Sequence, residues 1–376
     1  MPFVIYGVVT GTSISQLFLA GMVPGLIMGM VLIIAWTLIA RGFTEPTPPK
    51  ASAAERRRVL IDGAAALMLP VIIVGGLRGG LFTPTEASVV AVFYAIVVSA
   101  VVSLTIGSEP LPMRGVLDTA GARITGEPGP DPTIDVIVWD LRAPRALLAI
   151  IVGAGLALAG SGMQTLVRNP LADPYLLGVS AGASVGATAV IALGMFASWG
   201  PHRLTLGALV GALGAAGLVS LLSMAPGGMT PLRLVLSGVV LSAAFSALAS
   251  FLVFRSSDPR AAQSVLYWML GSVAGATWDS LWVAAIVTAL SAVLMIAFSG
   301  WLDALSAGTD VARSLGIPDT KVRKALFVGN SVLVGVLVAV SGGIGFVGLV
   351  IPHMSRLLVG ASHRSMVPVA AAIGSL

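Results

Sequence analysis

The chain has 376 residues, 57% of them hydrophobic and 10% charged, with a mean hydropathy of +1.00. A soluble domain carries about 25% charged residues, so too little polar surface is present to cover a water-exposed globule, and the bilayer is the expected solvent. The absence of cysteine excludes disulfides, thiolate metal sites and a cysteine nucleophile, and the net charge of +5 fits short basic loops between apolar runs better than nucleic-acid binding.

In chain order, the first apolar span runs from about Ser15 to Ala40, with Pro24 inside it as a kink. Residues 41–58 follow, with five basic and two acidic residues and three prolines; the Arg/Lys excess assigns this loop to the cytoplasm. The run from Val59 to Val74 is short for a span, and Pro70 and the GGLRGG that follows favour a re-entrant or interfacial segment. The run from Ala87 to Ile106 is a plausible span by length. Residues 107–143 are polar, acidic and free of lysine, and are read as an outer loop. Further spans are expected at about 145–163, 175–196, 205–224, 234–254, 281–299 and 326–341, with a last one from about 345 beyond Met366. Residues 264–278 are amphipathic and too short to span. Loop 302–324, with four basic residues, is assigned to the cytoplasm. Met1 leads straight into an apolar run without a basic n-region, so no cleavable signal is expected.

Three stretches carry patterns beyond hydropathy. In RNPLADPYLLGVSAGASVG, Pro170 and Pro174 stop a helix, and Gly178, Gly182 and Gly186 recur at four-residue spacing, as on a close-packing face. In SGGIGFVGLVIPHMSRLLVG, glycines including Gly345 precede Pro352, a second helix break. The lone His353 reads as a capping or packing residue. In LSGVVLSAAFSALASF, Gly238, Ser242, Ser246 and Ser250 make a small, weakly polar stripe. It is either a helix contact or the wall of a substrate path, since hydroxyls lining a cavity cost little. A P-loop is absent, the only lysines being Lys50, Lys321 and Lys324. The spans hold no carboxylate pair or histidine cluster for a proton relay. No metal site and no cofactor is expected, and the chain is not expected to be an enzyme.

From about residue 100 onward the sequence resembles the FecCD-type permeases, the membrane subunits of ABC importers for vitamin B12, haem and iron–siderophores. The likeness rests on LRAPRALLAIIVGAGLALAGSGMQ, RNPLADPYLLGVSAGA, VLYWMLGSVAG, ARSLGIP and GGIGFVGLVIPHMSRLLVG, in family order and spacing. It implies an all-α, polytopic helical bundle of the type II importer permease kind, ten helices per subunit, and a path enclosed between two permease subunits. Partners implied are separate ABC ATPase subunits, a periplasmic or lipoprotein substrate-binding protein, a second permease subunit and the lipid bilayer, with no nucleic acid. ARSLGIP matches the loop that docks on the ATPase, which makes Ala312, Arg313, Leu315 and Gly316 docking candidates. Arg142 and Arg145 match positions that receive acidic side chains of the binding protein; alternatively they anchor the helix at the interface. The location implied is the bacterial inner membrane.

The first hundred residues resemble a different family. YGVVTGTSISQLFLAGMVPGLIMG and LMLPVIIVGGLRGGLFTPTEASVVAVFYAIVV look like the large membrane subunit of TRAP transporters, sodium-driven importers of sialic acid and C4-dicarboxylates. Residues 1–100 are therefore expected to be a TRAP-like fragment and 101–376 a FecCD-type permease, joined at about Val98 to Ser103. Both patterns read as incomplete, the second lacking its final helices. Two other functions follow: a sodium-coupled organic-acid transporter subunit, or a fusion of two truncated permeases that transports nothing.

Overall fold

The computed structural model describes residues 14–40, 52, 53, 56, 57, 64–81, 83–127, 129, 131–223 and 230–376. Most of the basic loop 41–58 and the start of the TRAP-like pattern lie outside these residues. The described structure is all helix, and the chain divides into two compact units, Met1–Ser99 and Ala100–Leu376.

In the first unit, α1 (Ile14–Ala40) contains Pro24 and exposes apolar side chains from Leu26 to Ile39. Helix α2 (Ala64–Arg78) has 15 residues with Pro70 inside. At 1.5 Å per residue it is about 22 Å long, shorter than a hydrocarbon core of about 30 Å. Helix α3 (Pro84–Thr105) begins at the FTPTEA motif, and the geometry explains the motif. Thr83 Oγ1 accepts from the Glu86 backbone N–H at 3.3 Å, and Glu86 Oε2 accepts from the Thr83 N–H at 2.8 Å. With Pro84 at the first helical position, this is a capping box.

The second unit holds all five described helices that are long and apolar enough to cross a membrane. Residues 107–143 are not the loop expected from their polarity. They contain α4 (Met113–Thr125), closed by Gly126 in the left-handed region, and a short helix Pro132–Asp135 that runs through a π-helical turn, Val136–Arg142, into α5 (Ala143–Val167). Val116 and Thr119 of α4 are buried while Leu117 and Asp118 between them are exposed. A narrow apolar face is enough for a helix at the surface, and composition alone hides it.

The span expected at 175–196 is shorter. A 3-10 turn, Pro174–Leu177, comes first, and α6 (Val179–Leu193) starts only after Gly178, at φ +72°. Gly178 therefore precedes the helix, and its neighbours are Gly238 and Ser242. Gly182 and Gly186 do form a face: a β-carbon on Gly186 would collide with the Gly207 carbonyl, and one on Gly182 would lie 3.2 Å from the Gly211 carbonyl carbon. These partners lie on α7 (Arg203–Ser223), so the two helices meet backbone to backbone.

Next come α8 (Pro231–Arg255), the short α9 (Ala261–Met269) and α10 (Trp278–Ala297). The basic loop expected at 302–324 is largely helical: α11 (Ser299–Ala307), α12 (Thr309–Ser314) and the first turns of α13 (Asp319–Ser341). The single last span is two helices, α14 (Val347–Val359) and α15 (His363–Gly374), parted where Gly360 takes φ +87°. Helices α5 and α13 are central: 61% of each apolar window is buried, against 17% for α8 and 22% for α10. Helix α5 packs against α10, α13, α14 and α15.

Candidate transport path and docking loop

Ser242, Ser246 and Ser250 of α8 line one cavity of about 580 Å³. Across it stand Ser180 and Ser184 of α6, with Tyr175 from the preceding turn. Every side chain in its wall is uncharged. Several hydroxyls are already satisfied: Ser250 Oγ donates to the Ser246 carbonyl at 2.9 Å and Ser184 Oγ to the Ser180 carbonyl at 3.0 Å, each within its own helix, and Tyr175 Oη donates across to the Ile344 carbonyl, between α13 and α14, at 2.9 Å. Their second lone pairs remain available to a passing solute. The stripe thus has two roles. Gly238 is buried against the Leu176 carbonyl, a helix contact, and the three serines face open space.

The sequence reading passed over Tyr175, Ser180 and Ser184. A signal was present: Ser180 and Ser184 are four residues apart and two out of phase with Gly182 and Gly186, which places them on the opposite side of α6.

The breaks around the cavity are fixed by packing. Helix α5 ends at Arg168, at φ +56°, two residues before the exposed Pro170. Asp173 accepts from the Tyr175 N–H at 2.7 Å and caps the turn that begins at Pro174. Burial raises the Asp173 carboxyl above its usual range, partly offset by that hydrogen bond. Gly345 has open space at its β-position, whereas a β-carbon on Gly348 would lie 2.6 Å from Pro174 Cγ and 2.8 Å from the Leu156 carbonyl. Pro352 is buried in α14, and His353 is exposed.

At one end of the bundle, α12 and the turn that follows it carry the docking candidates. Ala312 is fully buried, Leu315 is 65% exposed, and Gly316 turns the chain at φ +73°. Arg313 pairs with Asp319 at 3.2 Å on the surface. Beneath them Arg323 is 3% exposed; it donates to the Leu166 carbonyl at 3.2 Å and to Thr309 Oγ1 at 3.4 Å, tying this loop to the end of α5.

At the other end, Arg142 donates to the Leu104 carbonyl at 2.8 Å and also to the Glu109 carbonyl. Arg145 donates to the Ala274 carbonyl at 2.9 Å. Each guanidinium spends part of its five donors on backbone and holds two segments together. Nearby, the Trp139 and Trp278 rings lie 4.7 Å apart, and Trp278 Nε1 donates to the Trp139 carbonyl at 3.0 Å. Among the described residues no three His, Asp or Glu side chains converge as a metal site would need.

This arrangement has known counterparts. The model of the FecCD transport family matches residues 58–376. The chain belongs to the FecCD transport family. Similar proteins include the molybdate import system permease protein MolB of Haemophilus influenzae, 36% identical over 280 residues, covering 74% of this chain and 82% of the relative. The cobalamin import system permease protein BtuC of Halobacterium salinarum is 35% identical over 310 residues, with 73% and 82% covered. A solved structure of an ABC transporter assigned to the metal-chelate type, in an inward-facing conformation, is 34% identical, with a TM-score of 0.65, over 76% of this chain and 85% of that one. The fold is accordingly an all-α, polytopic membrane bundle of the ABC importer permease kind. The FecCD match begins at residue 58, well before the join expected near Val98, and so takes in the later part of the stretch that resembles a TRAP subunit, including the FTPTEA motif.

Proposed function

We propose that this FecCD-family chain is the membrane permease subunit of an ABC importer in a bacterial cytoplasmic membrane, forming with a second permease subunit the path for a metal chelate such as an iron–siderophore, haem or cobalamin. The uncharged, hydroxyl-lined cavity between α6 and α8 supports this reading most directly. Such a wall offers weak, replaceable hydrogen bonds and no fixed charge to trap the solute. The names of relatives span molybdate, cobalamin and iron uptake, so the chelate class rests on the motifs and on the metal-chelate type structure. Energy would come from separate ATPase subunits docking at Ala312, Arg313, Leu315 and Gly316, and substrate from a binding protein received at Arg142 and Arg145.

Residues 101–376 would form the permease proper and residues 1–100 a distinct N-terminal segment. The division of the chain after Ser99, and relatives that match about three quarters of it, favour that boundary; the family match from residue 58 argues for an earlier one. The sodium-coupled organic-acid reading draws no support from the relatives and structure described above. Uptake by the chain reconstituted with its ATPase and binding protein decides between them. Chelate transport that requires ATP and ignores a sodium gradient supports the ABC reading; transport driven by sodium without ATP overturns it.

A further inference from the structure

We infer that Arg168 receives a carboxylate side chain of the ATPase subunit. This assignment rests on reading this end of the bundle as the ATPase dock, and adds to it a cation outside the ARSLGIP motif. Arg168 closes α5 in the left-handed region, at φ +56° and ψ +40°. Glycine fills such a position without strain, and arginine does not. The backbone bond made there, from the Arg168 N–H to the Gln164 carbonyl, needs no side chain. Yet the chain holds a long cationic side chain at this point, and that side chain is exposed. Among the described residues its guanidinium forms no ion pair.

The surroundings leave positive charge in excess. The Arg168 guanidinium lies at the junction of α11 and α12, where a β-carbon on Gly308 would be 3.8 Å from its Nη1. At the next residue Arg323 donates to Thr309 Oγ1, so two guanidinium groups meet at this junction. Arg323 feels the charges of both Arg168 and Arg313, with Asp319 acting against them. Asp319 is already engaged by Arg313 at 3.2 Å, and the exposed Asp310 of α12 pairs with none of the three. Arg323 is buried and donates within the chain, so it cannot reach a partner itself. Arg168 is the member of the group through which an outside anion offsets the excess. A guanidinium fork matches a carboxylate, taking it through two parallel hydrogen bonds. The placement favours a protein over a lipid as its source. Arg168, Leu171 and Leu315 lie in turns at the end of the bundle, not along helix flanks where acyl chains run, and all three are exposed. Arginine together with exposed apolar side chains is the composition of a protein interface.

The test measures binding of the ATPase subunit to the full chain in phosphatidylcholine nanodiscs, for wild type, Arg168→Gly and Arg168→Gln. Arg168→Gly keeps the backbone bond to Gln164 and relieves the left-handed strain, so its melting temperature in detergent should rise by about 2 °C. Affinity should move the other way. Both variants should bind about tenfold more weakly at about 0.1 M salt, and the deficit should shrink at about 1 M, where charges act over only about 3 Å. Unchanged affinity in both variants would overturn this assignment alone, whereas a wild-type chain that does not bind the ATPase would overturn the permease reading with it. A melting temperature of Arg168→Gly that falls along with its affinity would make Arg168 a structural cap and overturn the assignment. So would a deficit seen only when phosphatidylglycerol replaces phosphatidylcholine, which would give Arg168 to a lipid phosphate.

Discussion

Asp303 of α11 accepts from both the backbone N–H and the ring Nδ1 of His363 at the head of α15, at 2.8 and 2.5 Å. The other ring nitrogen meets Thr165 Oγ1 of α5 at 2.7 Å. With the imidazole proton held on Nδ1 and pointed at Asp303, Nε2 of a neutral imidazole accepts, and the single Thr165 hydroxyl proton goes to it rather than to the Ser161 carbonyl 2.9 Å away. One imidazole, 2% exposed, thus joins three elements. Asp303→Ala leaves a buried donor unpaired and should cost about 1–3 kcal/mol. Asp303→Asn keeps an acceptor and should cost less. Unfolding of the two variants in detergent checks the order; equal losses would mean that the carboxylate oxygen contributes nothing.

Leu315 should be a coupling residue. It is exposed on a short corner made by buried Ala312 and by Gly316, and no packing among the described residues covers its apolar side chain. Leu315→Glu should leave stability within about 0.5 kcal/mol while abolishing substrate-stimulated ATP hydrolysis by the docked ATPase. Arg313→Glu should do the same, with some loss of stability because it places a carboxylate beside Asp319. Unchanged uptake and ATP turnover in both variants would remove the docking assignment.

Much of the bundle was legible because a bilayer imposes a simple rule: an apolar run of about 20 residues spans. Helices α5, α7, α8, α10 and α13 follow it. The rule fails where the backbone turns inside an apolar run. Gly178 and Gly360 leave hydropathy almost unchanged, yet their positive φ ends one element and starts the next. It fails again where polarity conceals a helix, as in α4. The serine stripe was visible on α8, but the cavity needed Tyr175, Ser180 and Ser184 from another element, and no spacing within one helix reports that. At the FTPTEA motif the sequence carried the cap itself, Thr83 with Glu86, and the resemblance drew attention to a local rule that any helix may use.

Gly186 and Gly214 should respond in opposite directions to the same substitution. A methyl on Gly186 would strike the Gly207 carbonyl, and only separation of α6 from α7 relieves it. Gly186→Ala should cost about 1–3 kcal/mol. Gly214, on the exposed side of α7, has nothing within 4 Å of its β-position, so Gly214→Ala should stabilise by about 0.5–1 kcal/mol. Melting temperatures of the pair test this; a shift in the same direction for both would contradict the close approach.

Asp173 predicts a pH effect of definite sign. Burial raises its folded pKa above 3.8, so the native state takes up a proton at higher pH than the unfolded chain. The stability this group contributes is complete below the unfolded value and is lost as pH rises through the folded one. Asp173→Asn keeps an oxygen to accept from the Tyr175 N–H and removes the titration. Wild type should therefore gain on the variant between neutral pH and about pH 4. A gap that stays constant, or moves the other way, would show that the carboxylate is not desolvated.

Ser246 offers the sharpest test of the path. It stands on the cavity wall of α8, one turn from both Ser242 and Ser250, and its side chain is exposed to that space. Replacement by leucine adds bulk and removes a hydroxyl without touching a buried contact, so folding should be preserved within about 0.5 kcal/mol. If the solute passes here, uptake should fall at least about tenfold, the effect of about 1.4 kcal/mol on a transport barrier, with ATPase docking unchanged. Ser246→Ala removes the hydroxyl alone and should retain most of the flux, because a single neutral hydrogen bond to a mobile solute contributes only about 0.5–1.5 kcal/mol. Leucine at Val239, about two turns from Ser246 on the same side of α8, which is 51% exposed and does not line the cavity, serves as the control. Equal uptake by Ser246→Leu and Val239→Leu would move the path away from α8 and leave the serine stripe as a helix contact.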